Sequence, residues 1–358
     1  MPRDAANSSA RYARQALVPE IGPEGQARLG AARVLCVGAG GLGCASLPYL
    51  AGAGVGSLTI VDHDTVDRSN LQRQVLFGES DLGRPKATVA ARRLADLNPD
   101  IAIEAVCERL DHDNVESLFA AHDMVIDGSD NYPTKFLCGD ATVKSGIPLV
   151  YASATGMEAT VGVFDAGRGP CLRCLFPQPP TGWVPNCAEA GVLGPLVGMA
   201  GCIQATEAIK WLVGGKLDGL VGRIMWIDAR DMTLRRLEVR KRPDCPVCSQ
   251  PPDRIRLEPL QAVIEELDPA SVQRLQQVLL IDVREPDEFA AGHIPGAISL
   301  PLSQLDPDSA TNLPDTDHVV IYCRSGTRAR RAAELLAPEI SGVKCLKGGL
   351  EAWDLPLT

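Results

Sequence analysis

The chain has 358 residues, enough for two or three domains that each bury a core. Hydrophobic residues at 45% and charged residues at 22% are ordinary for a globular protein, and a formal net charge of -10 argues against a general nucleic-acid or anionic-membrane surface, leaving small molecules and proteins as partners. No run reaches the roughly 18 apolar residues of a membrane span and the opening "MPRDAANSSARYARQ" lacks the apolar core of a secretory signal, so a cytoplasmic protein is expected, in which twelve cysteines point to metal or thiol chemistry.

From Arg33 onward, short strand-like runs alternate with helix-like segments: "RVLCVG", "CASLPYLAGAG" and "SLTIVD", then "IAIEAVCERL", "DMVIDGSD" and "IPLVYASA". This alternation predicts an α/β fold, a Rossmann-like domain whose mostly parallel sheet is covered on both faces. The Pro- and Gly-punctuated "GRGPCLRCLFPQPPTGWVPN" reads as a long irregular connection, of the kind that is usually functional or mobile. After "RIMWIDARDMTLRRLEV", the polar, Pro-rich run through "CSQPPDRIRLEP" reads as a linker over 251–262. It separates a first domain, 1–250, from a smaller α/β domain, 263–358, which contains "VLLIDVRE", "HVVIYCRSGTRARRAAELL" and "VKCLKGGLEAW".

The first strand runs into Gly38-Ala39-Gly40-Gly41-Leu42-Gly43, a G-x-G-x-x-G turn that delivers backbone N–H groups and a helix N-terminus to a phosphate. With Asp62 at the interval expected of a ribose ligand, a nicotinamide dinucleotide is the simplest guest. The residues downstream argue otherwise. "VDHDTVDRSNLQRQ" brings Asp62, Asp64, Asn70, Arg73 and Gln74 just after the second strand, and "GRPKA" adds Lys86. Cations such as Arg73 and Lys86 suit a triphosphate cleaved between α and β, where negative charge builds on departing pyrophosphate. "MVIDGSDN" leaves Asp127, Asp130 and Asn131 near the carboxyl edge of the sheet, where a carboxylate could hold Mg²⁺ against phosphate oxygens. Taken singly, each acidic residue also fits a helix cap or a solvated loop charge.

Together, "RYARQ", "GAGGLG", "DHDTVDRSNLQRQ", "GRPKA", "DGSDN" and "NCAEAGVLGPLVG" resemble the MoeB/ThiF group of ubiquitin-activating-enzyme-like adenylating proteins. The resemblance implies ATP as cofactor, a ubiquitin-like protein as substrate, and a homodimer in which Arg14 reaches the neighbouring subunit's site. It implies Asp62 on the ribose, Asn70, Arg73 and Lys86 on the phosphates, and Asp130 on magnesium. One position departs from the group: Lys135 stands where an arginine is common, five residues beyond the aspartate of "DN", so charge is kept and a planar fork is lost.

Two C-x-x-C pairs, Cys171 with Cys174 and Cys245 with Cys248, could close a tetrahedral Zn²⁺ site of structural type or act as redox pairs. The same resemblance favours zinc. Cys187, in "VPNCAEAGVLGPL", stands without a cysteine partner in a polar stretch ahead of an apolar helix; its counterpart is an acceptor or resolving thiol in some relatives. Cysteines 36, 44, 107, 138, 202 and 345 lie in apolar patterns and read as core.

In the second domain a strand enters the loop Cys323-Arg324-Ser325-Gly326-Thr327-Arg328 and leaves in a helix, so that N–H groups, a helix N-terminus and two arginines all favour a thiolate and would stabilise an added outer sulfur. With "IDVREPDEFAAGHIPGA" and "LKGGLEAW" around it, this loop resembles the single-domain rhodanese sulfurtransferases. A Cys-dependent phosphatase is the rival, but its loop usually has five residues between Cys and Arg, and this one has four. The two resemblances imply adenylation of the C-terminal carboxylate of a ubiquitin-like sulfur carrier of the MoaD/ThiS kind, ending Gly-Gly. Sulfur from a Cys323 persulfide, loaded by a cysteine desulfurase or thiosulfate, would then give a thiocarboxylate, with Cys187 as a candidate resolving thiol. The alternative is conjugation through a thioester on Cys187, with the second domain as an accessory.

Overall fold

A computed structural model of the chain describes residues 5–179, 191–214, 219–257, 264–305, 313, 314, 316, 318–337, 340 and 342–358, with only the backbone course given for 5–9. These residues form two compact units that divide near residue 260.

The first unit opens with helices α1 (Ala5–Ala16) and α2 (Gly22–Ala31) and then alternates strand and helix. Strands β1 (Arg33–Val37), β2 (Ser57–Val61), β3 (Ala102–Val106), β4 (Met124–Asp127) and β5 (Leu149–Thr155) are parallel, in the order β3-β2-β1-β4-β5. The runs are apolar because both faces are covered. Val34 and Cys36 of β1 enter one core, shared with α3 (Gly41–Ala53) and α8 (Gly194–Val213); Leu35 and Val37 enter another, shared with α5 (Val115–Ala120) and α6 (Tyr132–Ser145). The chain reverses its direction of sheet growth between β1 and β4, the crevice where open α/β sheets bind ligands. Val37 is level with both Val61 and Asp127, so β1, β2 and β4 end together at that crevice.

Beyond β5 the sheet continues antiparallel through β6 (Glu158–Phe164), β7 (Arg223–Asp228) and β8 (Thr233–Glu238). Here the expectation of coverage on both faces meets its limit: five of the six β8 residues are exposed. The stretch read as an irregular connection contains α7 (Leu172–Leu175), beginning directly after Cys171; its continuation over 180–190 lies outside the described residues. Part of the expected linker is also ordered. Residues 252–254 form a 3₁₀ turn, and Ile255 is buried against Cys171, Cys174 and Cys245 of the first unit.

The second unit is a five-stranded parallel sheet, β11-β10-β12-β13-β9, made of β9 (Glu265–Leu267), β10 (Val278–Asp282), β11 (Ile298–Ser299), β12 (His318–Tyr322) and β13 (Lys344–Leu346). Among the described residues three α-helices accompany it: α9 (Pro269–Arg274), α10 (Pro286–Ala290) and α11 (Thr327–Leu336). Alternation again divides the strands. Ile281, Ile321 and Cys345 pack with Ala329, Ala332, Ala333 and Leu336 of α11, while Leu280, Val320, Tyr322 and Leu346 face Val272 of α9. No helix among the described residues is long and apolar enough to cross a membrane.

Candidate functional site

At the crevice of the first unit, Gly38 takes φ +91°, and a Cβ built on it would lie 2.9 Å from the carbonyl oxygen of Gly128. Only glycine permits this approach of the β1 and β4 loops. Asp62 sits against the same turn: its Oδ2 accepts the Ala39 N–H at 2.7 Å and its Oδ1 the Asp64 N–H at 2.8 Å. Burial pushes the Asp62 carboxyl above its ordinary range, with Lys86 and the two N–H groups opposing. Lys86, at the start of α4 (Lys86–Leu97), is buried and pairs through Nζ with Asp64 Oδ2 at 2.9 Å. Burial would raise Asp64, yet Lys86 more than offsets it and the carboxyl is lowered. Opposite, Asn70 Oδ1 accepts from Gln74 Nε2 at 2.9 Å, and Arg73 donates to the Ser69 carbonyl at 3.2 Å. Cβ atoms on Gly40 and Gly41 would lie 3.8 Å from Gln74 Nε2 and 3.5 Å from Arg73 Cγ, so both side chains line the glycine turn.

This edge fits a nucleotide. It offers a close-approach glycine turn at a helix N-terminus, two cations, an acidic pair, and the buried Gln74 Oε1, which has no hydrogen-bond partner among the described residues. Asp130 and Asn131 stand exposed after β4, with Asn131 Oδ1 capping α6 through the Thr134 N–H at 2.9 Å. Arg14 is exposed in the last turn of α1. Cys187 lies outside the described residues.

Two residues that sequence reasoning left aside hold this edge together. Lys135 is buried, with Nζ 3.0 Å from Asp127 Oδ2 and 2.6 Å from the Ala152 carbonyl. Burial works against its charge, but Asp127 prevails and the pKa is raised. The other Asp127 oxygen accepts the Ser129 N–H at 3.0 Å and hydroxyl at 2.5 Å, so the buried pair fixes the loop that carries Asp130. Gln204 of α8, fully buried, donates to the Asp127 and Val150 carbonyls at 2.8 and 3.1 Å. Lys135 was visible as a departure from a family pattern; a glutamine in an apolar helix carried no local signal.

The two C-x-x-C pairs converge, and all four Sγ atoms lie within 4.8 Å of one another. Cys171 is nearer Cys245 (3.5 Å), and Cys174 nearer Cys248 (3.5 Å), than the two are to each other (3.9 Å). Interleaving of this kind suits one four-sulfur cluster better than two independent redox pairs. Metal–sulfur bonds of ~2.3 Å give a tetrahedral edge of ~3.8 Å, so the sulfurs fit a tetrahedral divalent ion. Burial and the neighbouring sulfurs push the Cys171 thiol up, a conflict that a cation at the centre would remove. Of the cysteines read as core, Cys36, Cys44, Cys138 and Cys345 are buried, but Cys107 is exposed and Cys202 only half-buried. Cys107 follows β3, whose apolar residues are themselves only partly covered.

In the second unit Cys323 ends β12 and is 1% exposed. Its Sγ accepts the Gly326 N–H at 3.2 Å and the Ala329 N–H at 3.4 Å, at the N-terminus of α11. The loop is clamped from behind: the Leu350 N–H donates to the Cys323 carbonyl at 2.8 Å and the Glu351 N–H to the Arg324 carbonyl at 3.0 Å. Gly348 and Gly349 have φ +74° and +62°, and a Cβ on Gly349 would collide with both carbonyls, which gives "LKGGLEAW" its physical reason.

The two arginines of the loop are themselves paired with carboxylates. Arg328 is held in a two-point bond to Glu288 of α10, at 2.6 and 2.8 Å, and Arg324 Nε lies 3.0 Å from Glu351 Oε1. The Arg328 hydrogen bonds hold the Glu288 carboxyl down to about 2. Both cations thus have carboxylate partners, the hydrogen bonds to the sulfur come from amides at the helix end, and the charge of Arg328 still acts on Cys323. Ser325 and Thr327 complete the loop, the latter as the first residue of α11.

The pattern of the ThiF family matches residues 12–247, and that of the rhodanese-like domain residues 265–355. The chain is 39% identical over 365 residues to the probable adenylyltransferase/sulfurtransferase MoeZ of Mycobacterium tuberculosis, covering 96% of this chain and 92% of that protein. It is 47% identical over 249 residues to the sulfur carrier protein adenylyltransferase of Thermus thermophilus, covering 68% of this chain and 91% of that one. Among solved structures, E. coli MccB with MccA-N7isoASN shares the fold at a TM-score of 0.59 and 22% identity, covering 68% of this chain and 75% of that one.

Proposed function

The chain belongs to the ThiF family and carries a rhodanese-like domain, and from that premise we propose that it uses MgATP to activate the C-terminal carboxylate of a ubiquitin-like sulfur carrier ending Gly-Gly, then replaces the activated oxygen with sulfur. One observation carries the reading: the glycine turn, Asp62, Asp64, Arg73, Gln74 and Lys86 converge at the sheet crevice, in a chain that also holds a cysteine under amide N–H groups in a second unit.

Gly38, Gly40 and Gly41 receive the phosphates, Asp62 and Asp64 flank the ribose, and Asn70, Arg73, Gln74 and Lys86 take the phosphate charge. Lys86 exchanges its bond to Asp64 for the nucleotide. Asp130 would hold magnesium, with Asn131 capping the helix that follows; when bound there, magnesium would supply positive charge against the phosphates. Arg14, exposed on α1, adds charge to a second copy's site in a homodimer.

The carrier carboxylate attacks the α-phosphorus, the bond to pyrophosphate breaks, and an acyl-adenylate forms. A carboxylate would have to expel oxide; AMP leaves far more easily. The terminal sulfur of a Cys323 persulfide then attacks the carbonyl carbon, and AMP departs. A thiol resolves the resulting acyl disulfide by attacking the Cys323 sulfur, so that the thiocarboxylate leaves with the bonding electrons. Cys187 is our candidate for that thiol, and a cysteine desulfurase or thiosulfate supplies the sulfur. A zinc ion bound by Cys171, Cys174, Cys245 and Cys248 has no position left for water, so its role is structural.

The test is intact mass spectrometry of a Gly-Gly-tailed carrier incubated with the full chain, MgATP and a sulfur donor. Exchange of one oxygen for one sulfur is expected. A carrier joined whole to the enzyme would instead establish conjugation, and an unchanged carrier in the absence of ATP–pyrophosphate exchange would reject the proposal.

A further inference from the structure

The rim of the sulfur loop carries a charge balance that the proposed chemistry does not require. Arg324 and Arg328 would attract an anionic donor, yet each already has a carboxylate partner from outside the loop. Glu288 binds Arg328 at both terminal nitrogens. Glu351 meets Arg324 twice, through its N–H to the Arg324 carbonyl and through Oε1 to Nε. The second pair lies on the solvent side, with side chains 73% and 57% exposed, whereas Cys323 is 1% exposed beneath the loop. Two guanidiniums and two carboxylates sum to zero.

We infer that Glu351 is a specificity-determining residue of sulfur loading: by cancelling the charge of Arg324, it favours a thiol-borne persulfide over thiosulfate as the donor. The inference rests on the reading of Cys323 as the sulfur-carrying nucleophile. With a persulfide R–S–SH, the Cys323 thiolate attacks the terminal sulfur, the new sulfur–sulfur bond forms, the donor's own breaks, and R–S⁻ leaves with the electron pair. With thiosulfate the same attack expels sulfite. The bond changes correspond, but thiosulfate brings two negative charges to a rim whose cations are already neutralised, and each nearby carboxylate repels it.

Glu351→Gln in the full-length chain isolates this effect, because it keeps an oxygen for Arg324 Nε and the main-chain clamp while removing one charge. At low salt and saturating cyanide, kcat/KM for thiosulfate should rise about two- to five-fold, and the gain should shrink as ionic strength increases. Loading of Cys323 by cysteamine persulfide, a donor of no net charge, should be unchanged when followed as the mass of one added sulfur. Glu351→Asp, which retains the charge, should behave as wild type toward both donors. An unchanged thiosulfate value, or an equal change with both donors, would reduce Glu351 to a packing residue. Failure of wild-type Cys323 to take up sulfur from either donor would overturn the nucleophile reading itself, and this inference with it.

Discussion

Lys135 shows what one side chain can decide without touching a reacting atom. Its ammonium and the Asp127 carboxylate are both buried, and Asp127 simultaneously fixes Ser129, one residue before Asp130. Removing one partner leaves an uncompensated buried charge, which typically costs about 3–5 kcal/mol. Lys135→Met should therefore lower the unfolding free energy of the first unit by about that amount, seen as a lower denaturant midpoint, and weaken ATP–pyrophosphate exchange. Lys135→Arg keeps the charge and should cost far less; equal losses in the two variants would mean that the volume of the side chain, and not its charge, is what the site needs. The sequence made the substitution visible but not its partner, because Asp127 and Lys135 meet only once β4 and α6 are packed. Arg324 and Arg328 show the converse. Their proximity to Cys323 was legible in the loop, but Glu288 and Glu351 lie 40 and 27 positions away in the chain, and no spacing rule links them.

At the scale of elements, legibility followed burial. Strands β1, β2, β4 and β5 were readable as apolar runs because parallel strands covered on both faces must be apolar. β8 is open to solvent and lies beyond that rule, and the turn at 252–254 sits in a Pro-rich stretch whose composition suggests a linker. What anchors that turn is the cysteine cluster, since Ile255 packs against Cys171, Cys174 and Cys245. The cluster joins the segment after β6 to the segment after β8, a connection that four sulfurs alone hold weakly and a metal would hold firmly. Metal analysis of the purified protein should find about one zinc per chain. Cys245→Ser/Cys248→Ser should lose it, lower the stability of the first unit by several kcal/mol, and leave sulfur loading of Cys323 intact. A metal-free protein of undiminished stability would show that packing around Ile255 is sufficient.

At the scale of the whole molecule, each unit has hydrophobic clusters of its own among the described residues: those around the first sheet and the cysteine cluster draw on residues 21–257, and those around the second on 264–353. Each unit thus has the core it needs to hold its own chemistry in register, and the two half-reactions should be separable by single substitutions. Asp130 is exposed on the β4 loop, so Asp130→Ala leaves no buried group unpaired and should act on nucleotide chemistry alone. ATP–pyrophosphate exchange should fall by about a hundredfold or more while the thiosulfate-to-cyanide rate stays at its wild-type value. Cys323→Ala should do the reverse, since no other thiol of the second unit is comparably held: Cys345 is enclosed in the core, where burial pushes its thiol up to about 12. Neither variant alone should make thiocarboxylate, but a mixture of the two should recover it if adenylated carrier and persulfide can meet across separate polypeptides. Loss of both partial activities in either variant would mean that the two units, although separately cored, work as one catalytic body.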